Sequence, residues 1–208
     1  MIDTFAPDAL IQLIADHSGH ATTQQLKTAG FAGDVVQAWV RRGVLERDSS
    51  GSYRLAEPEV YIDWLILALW DLPQGTQGIV GGVTALEYYG ASVAWVNRVD
   101  VGIRQGTQLP PASARLRPFV IPENLWGFGA ETVTPSLPGN VAIPMYSLPV
   151  ALVQTLWDPT YDLDTVTDAV MRYLSIRGED EALRDAVSRY DVEHRLLEIN
   201  QLNALALG

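Results

Sequence analysis

Cysteine is absent from the 208 residues, which removes any disulfide framework and any thiolate metal site. No apolar run reaches the roughly eighteen residues that a transmembrane helix needs, so no membrane span is expected. The first stretch, MIDTFAPDALIQLIADHSG, has no basic n-region and carries acids inside its apolar part. It does not read as a signal peptide, and a cytoplasmic location is the expectation. Lysine is nearly missing: Lys27 is the only one, and arginine supplies the other thirteen cations. Twenty-five acids outnumber the fourteen cations, for a net charge of −11. Such a balance is unfavourable for indiscriminate binding to a polyanion. Also lacking are a P-loop, a G-x-S-x-G elbow, an H-E-x-x-H pair and a CxxC pair, so no cofactor or enzyme class is indicated. His17 and His20 lie around an expected helix end without other ligand types nearby, and no metal is expected there.

A hydrophobic fraction of 48% is enough for a real core, and the length allows one large domain or two small ones. The stretch that organises the reading is 22–55, TTQQLKTAGFAGDVVQAWVRRGVLERDSSGSYRL. Thr22 can cap a first helix and Gln25 can return the bond as a capping box. Gly30 ends that helix where positive φ is wanted. A second helix is predicted from about Asp34 to Arg42, stopped by Gly43. Its apolar positions Val35, Val36, Trp39 and Val40 form a buried stripe. Its other face offers Asp34, Gln37, Ala38, Arg41 and Arg42. Val44–Arg47 and Ser52–Leu55 then flank a Gly-containing loop as a β-hairpin, which carries Arg47 and Arg54. With a preceding helix from Pro7 to about His17, this order is that of a winged helix-turn-helix domain spanning 1–57.

Charge is unevenly placed. Residues 1–57 hold five cations against seven acids, whereas 58–208 hold nine arginines against eighteen acids. The first part is therefore almost neutral, and its arginines fall on the second helix and the hairpin. Arginine on such a helix can contact phosphates or read guanine, so Gln37, Arg41, Arg42, Arg47 and Arg54 are the candidate DNA-binding residues. The bland alternative is a solvated helix face. Arg41 and Arg42 would suit the last turn of any helix, and winged helices also serve as protein-binding scaffolds.

After Glu57-Pro58 a buried helix is expected over 60–70, then a short one over 82–90. From about 94 to 145 the pattern turns to strands: Arg98–Arg104, Ala114–Ile121, Ala130–Val133 and Val141–Tyr146. Turn signals lie between them, which predicts a small, mainly antiparallel sheet. Arg98, Arg104, Arg115 and Arg117 fall here and form a possible second basic patch, with a solvated sheet face paired to acids as the alternative. Helices are expected over 147–157, 164–174, 182–190 and 192–205. The fold class is therefore α+β, with the N-terminal winged helix followed by a C-terminal domain, 58–208, of sheet and helices. Gly90-Ala91-Ser92 followed by Asp100-Val101-Gly102 faintly resembles a nucleotidyltransferase turn and metal-binding strand. Gly102 stands where the second acid belongs, so Asp100 reads as an ordinary strand-end acid, and no enzyme is expected.

The order "GHATTQQLKTAGF…VQAWVRRGVLER…GSYRL", "TALEYYGAS", "IPMYSLPVALVQTLWDP", "DTVTDAVMRYL" and "LRDAVSRYDVEHRLLEIN" resembles AbiEi-type antitoxins. These are predicted transcriptional regulators of bacterial abortive-infection (type IV toxin–antitoxin, phage-defence) operons. The resemblance covers most of the chain through diffuse motifs. It implies a winged helix that represses its own promoter by binding double-stranded DNA, and a C-terminal domain carrying antitoxin activity. It implies a nucleotidyltransferase-like toxin as functional partner, opposed without a stable complex. Under it the DNA-contacting positions map to Gln37, Arg41, Arg42, Arg47 and Arg54. This chain departs from the family's pattern in its acidity and its single lysine. A stand-alone regulator without a toxin is the alternative within the same reading.

Overall fold

The structure, a computed structural model, describes residues 6–93, 97–135, 141–178 and 180–206. It is a mixed α+β protein. The chain divides into two compact units, Met1–Asp71 with Val133–Ile143, and Leu72–Thr132 with Pro144–Gly208.

In the first unit, helices α1 (Asp8–Asp16), α2 (Thr23–Thr28) and α3 (Gly33–Arg41) precede a hairpin of β1 (Leu45–Arg47) and β2 (Tyr53–Leu55). Local chemistry sets the start of α2. The Thr22 hydroxyl accepts the Gln25 N–H at 3.2 Å, and the Gln25 side-chain oxygen accepts the Thr22 N–H at 2.7 Å. That is the expected capping box. Gly30 follows α2 at φ +89°, where a side chain would be strained. On α3 the stripe is narrower than its apolar letters suggest. Val36 and Trp39 are buried and Val40 half-buried, while Val35 is exposed. One residue is about 100° of helix, so Val35 and Val36 cannot both face inward at the centre of one stripe. Trp39 meets Phe31 edge to face, centroids 5.4 Å apart. In the hairpin Leu45, Tyr53 and Leu55 point inward with Leu10, Ile14 and Leu26. Each such burial is worth roughly 1.5–3 kcal/mol. Ala21 pairs with Tyr53 on the free side of β2 through two 2.8 Å backbone bonds.

This unit runs on past residue 57, where the break was expected. Glu57-Pro58 produces only a 3-10 turn, Pro58–Val60, followed by α4 (Trp64–Trp70), which Asp63 caps at the Leu65 N–H. The Trp70 ring lies over Gly19 so closely that a Cβ there would sit 2.8 Å from it. A sequence break marks where a helix ends, whereas packing decides which helix belongs to which core.

The second unit is built on a five-stranded sheet in the order β5-β4-β3-β7-β6. The strands are β3 (Gly78–Val80), β4 (Val99–Arg104), β5 (Leu116–Ile121), β6 (Ala130–Val133) and β7 (Ile143–Tyr146). The expectation of a mainly antiparallel sheet is corrected. β3 and β4 are antiparallel, but β4 pairs with β5 in parallel over six positions, and β3 pairs with β7 in parallel. The turn signals between β4 and β5 fall within residues 105–113. The connection, residues 105–115, is long enough to carry the chain back across the sheet, which a parallel pair requires and a hairpin does not. The central strand β3 was not foreseen at all: three residues, all buried, are too few to show a period.

Helices α5 (Gly82–Tyr88), α6 (Leu148–Trp157), α7 (Leu163–Arg177), α8 (Glu181–Tyr190) and α9 (Glu193–Ala206) complete the unit. α6 packs against α5, α7 and α8 and is buried from Val150 to Leu156. A helix apolar on every side is buried on every side. Its one amide, Gln154, is fully buried and bonded at both polar atoms: its oxygen accepts the Gly82 N–H at 3.0 Å and its nitrogen donates to the Tyr190 hydroxyl at 3.2 Å. Ser147 precedes α6 as expected, but its hydroxyl makes no cap bond. Asp162 and Asp180 cap α7 and α8 through the Thr165 and Leu183 N–H groups. Among the described residues no helix is long and apolar enough to cross a membrane.

Candidate functional site

The first group of candidates lies on α3 and the hairpin. Gln37, Arg41 and Arg42 are exposed, and neither arginine has an acidic partner among the described residues. The Gln37 amide reaches the Tyr53 hydroxyl at 3.4 Å, so α3 is tied to β2 beside the face it offers to solvent. Arg47 is also exposed, but its guanidinium lies 5.9 Å from the Tyr53 ring centroid and its Nε donates to the Gly51 carbonyl at 3.3 Å. It is held at the hairpin loop rather than free. Arg54 faces Glu46 across the β1–β2 ladder, and the two form a 2.6 Å ion pair. An exposed pair of this kind contributes little to stability, but it halves the free charge of the hairpin. Asp48 organises the loop by accepting the Ser50 and Ser52 N–H groups and the Ser50 hydroxyl, and His20 approaches it at 3.1 Å. The Ser50 hydroxyl bond is the main reason the Asp48 carboxyl lies below its usual range. Arg41 and Arg42 are thus the open cations of this surface, and Arg47 is exposed without an acidic partner among the described residues but held at the loop.

The second group does not form one open patch. Arg98 is exposed and Arg115 half-buried, just before β4 and β5. Arg104, at the far end of β4, is engaged by Glu123 in a two-pronged ion pair. Arg117 is turned into a buried cluster around Asp100.

That cluster is the least expected feature of the second unit. Asp100 is 1% exposed, so the sequence reading of an ordinary strand-end acid is corrected. The β4–β5 register sets Arg117 directly beside it, and the Arg117 Nε donates to one carboxylate oxygen at 2.6 Å. The other oxygen accepts the Tyr161 hydroxyl at 2.6 Å and the Val83 N–H at 3.1 Å. Arg117 continues outward to the Thr160 hydroxyl at 2.9 Å and to Asp158 at 3.4 Å, and stacks 4.1 Å from the Tyr161 ring centroid. The backbone joins in: the Asp100 N–H donates to the Thr84 hydroxyl and its carbonyl accepts the Gly81 N–H, both at 2.9 Å. Burial pushes the Asp100 carboxyl above its ordinary value, against the pull of Arg117 and Tyr161. Burial also drives the Tyr161 hydroxyl far up, and Asp100 adds to that. Burial works against the Arg117 cation as well, but Asp100 and Tyr161 hold it above its usual value. Every group facing the Asp100 oxygens is a donor, so the geometry is that of an ionised carboxylate.

The arrangement ties together β4, β5, the start of α5 and the turn after α6. Arg117 engages Asp100 directly, and a Cβ at Gly102, two residues on, would meet the Ile121 side chain at 2.9 Å. Among the described residues no three acids or histidines gather as a metal site. Gly82 shows how tight the junction is. Its φ is +53°, and a Cβ there would lie 2.2 Å from the Tyr161 hydroxyl and 2.9 Å from an Asp100 oxygen. Gly82→Ala is therefore expected to destabilise the second unit by about 2–3 kcal/mol, from backbone strain and the displaced network. Chemical unfolding of that variant checks this, and a loss below about 0.5 kcal/mol would show the junction to be plastic.

Sequence reasoning missed Tyr161, Asp158, Thr160 and Gln154, because partners far apart in sequence carry no local mark. One signal was available: Asp100 sits between two valines and Arg117 inside LRPFVI. A charge within an apolar strand needs a partner. No protein-family model matches the chain, and no curated protein matches it.

Proposed function

We propose that this chain is a transcriptional regulator that binds double-stranded DNA through its first unit. In this reading α2 and α3 form a winged helix-turn-helix, α3 is the recognition helix and the β1–β2 hairpin is the wing. The observation that carries it is the placement of three exposed arginines without an acidic partner among the described residues, Arg41, Arg42 and Arg47, with the exposed amide Gln37, on one helix and the hairpin after it. Arg54 drops to a minor role, since Glu46 already engages it. The sequence resemblance adds that the operator is the chain's own promoter. It also adds that the second unit has antitoxin activity against a nucleotidyltransferase-like toxin, exerted in the cytoplasm without a stable complex. The reading includes no catalytic step.

The test is a mobility-shift titration of the full chain on its own promoter over a range of salt. Binding is expected to weaken steeply with salt, and Arg41→Ala or Arg42→Ala to reduce the slope of log K against log salt by about one each, for all sequences alike. Gln37→Ala is expected to relax preference at one base pair, by roughly 1–3 kcal/mol. No shift at low ionic strength would sink the regulator reading. The rival is a protein-binding scaffold, favoured by the nine arginines against eighteen acids of residues 58–208. Recovery of a stoichiometric protein partner, with no DNA affinity, would decide for it.

A further inference from the structure

A groove of about 250 Å³ opens in the first unit between α2, the turn after it, α3 and β2. Its floor is apolar: Leu26, Val36 and Tyr53 are buried and Phe31 is half-buried. Its rim carries Lys27 on one side and Gln37 on the other. Lys27 is exposed, the sole lysine of the chain, and has no acidic partner among the described residues. A mostly apolar recess with a few convergent polar groups is the usual form of a small-molecule site. The volume corresponds to about eight waters, enough for an apolar body of about ten non-hydrogen atoms.

We infer that this groove binds a small organic acid, an apolar ring or branched chain bearing one carboxylate, with the body on Leu26, Phe31, Val36 and Tyr53 and the carboxylate on Lys27. Charge selects the acid. The rim presents a cation and an amide but no carboxylate, so an ammonium compound would be repelled and a neutral one would leave Lys27 unpaired. The site is also placed to act on DNA binding. Gln37 forms part of its wall and lies on the face proposed to read bases, and the carboxylate would neutralise Lys27. Occupancy therefore weakens the promoter complex. This regulatory consequence rests on the DNA-binding reading above, whereas the site itself does not.

The experiment follows backbone amide resonances of the isotope-labelled full chain during titration with phenylacetate, using 2-phenylethanol as the neutral counterpart. Saturable shifts are expected at Leu26, Lys27, Val36 and Gln37, with half-saturation near or below about 1 mM. The alcohol should bind several-fold more weakly. Lys27→Met keeps the stem that covers the groove but removes the charge, and is expected to abolish the acid's advantage while leaving the residual binding. The site is overturned if no saturable shift appears up to about 10 mM, or if acid and alcohol bind alike to the unaltered chain. With phenylacetate bound, promoter affinity is expected to fall several-fold. An unchanged promoter affinity overturns the regulatory part alone. Absence of any promoter binding in ligand-free protein strikes the regulator reading and leaves the groove's own test intact.

Discussion

Asp100→Ala is expected to destabilise the second unit by about 3–5 kcal/mol, the range for breaking one side of a buried ion pair. The change does more than delete a contact. The Arg117 guanidinium keeps its charge and loses the carboxylate 2.6 Å from its Nε. The Tyr161 hydroxyl and the Val83 N–H lose their shared acceptor in the same step. Each buried group left unpaired adds its own desolvation penalty, roughly 1–3 kcal/mol when neutral. Pairing the change with its partner gives a sharper test. Asp100→Leu with Arg117→Leu removes both members of the buried pair and leaves only the less buried Asp158 without its cation, so the double variant is expected to be more stable than Asp100→Ala. Amide hydrogen exchange in β4 and β5 reads the effect where it occurs, free of the first unit's own unfolding. If Asp100→Ala costs under about 1 kcal/mol, the cluster is solvated and its structural role is wrong.

The second large effect concerns α3. Trp39→Ala is expected to cost about 3–5 kcal/mol, because the indole is 5% exposed and packed edge to face on Phe31. The loss should unfold the first unit and remove promoter binding with it. Arg41→Ala and Arg42→Ala change exposed side chains and should leave the fold unchanged while weakening binding. The contrast separates a packing role from a binding role on one nine-residue helix and its C-cap. Should the double arginine variant bind the promoter as tightly as the original chain while Trp39→Ala unfolds, α3 is a packing element and the recognition role assigned to it is wrong.

Some of the candidate surface was legible in the letters. The capping box at Thr22 and Gln25, the glycine stop at Gly30 and the buried Trp39 all come from chemistry acting within a turn or two of helix. The hairpin was legible too, since Leu45, Tyr53 and Leu55 alternate with Glu46 and Arg54. What the letters did not show was which cations are open. Arg54 and Arg47 look alike in sequence, but one finds Glu46 and the other leans on Tyr53. Arg117 looked like a surface cation beside Arg115, yet the parallel register turns it onto Asp100. Two residues apart on a strand means one face only if both lie within the strand. Arg115 precedes β5, which begins at Leu116.

By itself the sequence determined the α+β class, the placement of most helices and four of the five strands of the larger sheet. It also determined the concentration of acidity in the later part of the chain. These follow from local rules: period, capping, turn residues and charge counting depend on neighbours within a few positions. Only the tertiary structure decided that the larger sheet is mixed, that three buried residues from Gly78 to Val80 form its centre, and that α4 belongs to the first unit. It alone decided that Asp100 is a buried hub. The reason in each case is the same. Strand direction, core membership and the pairing of a buried charge depend on segments tens of residues apart, and their energies exist only once the chain has closed those loops.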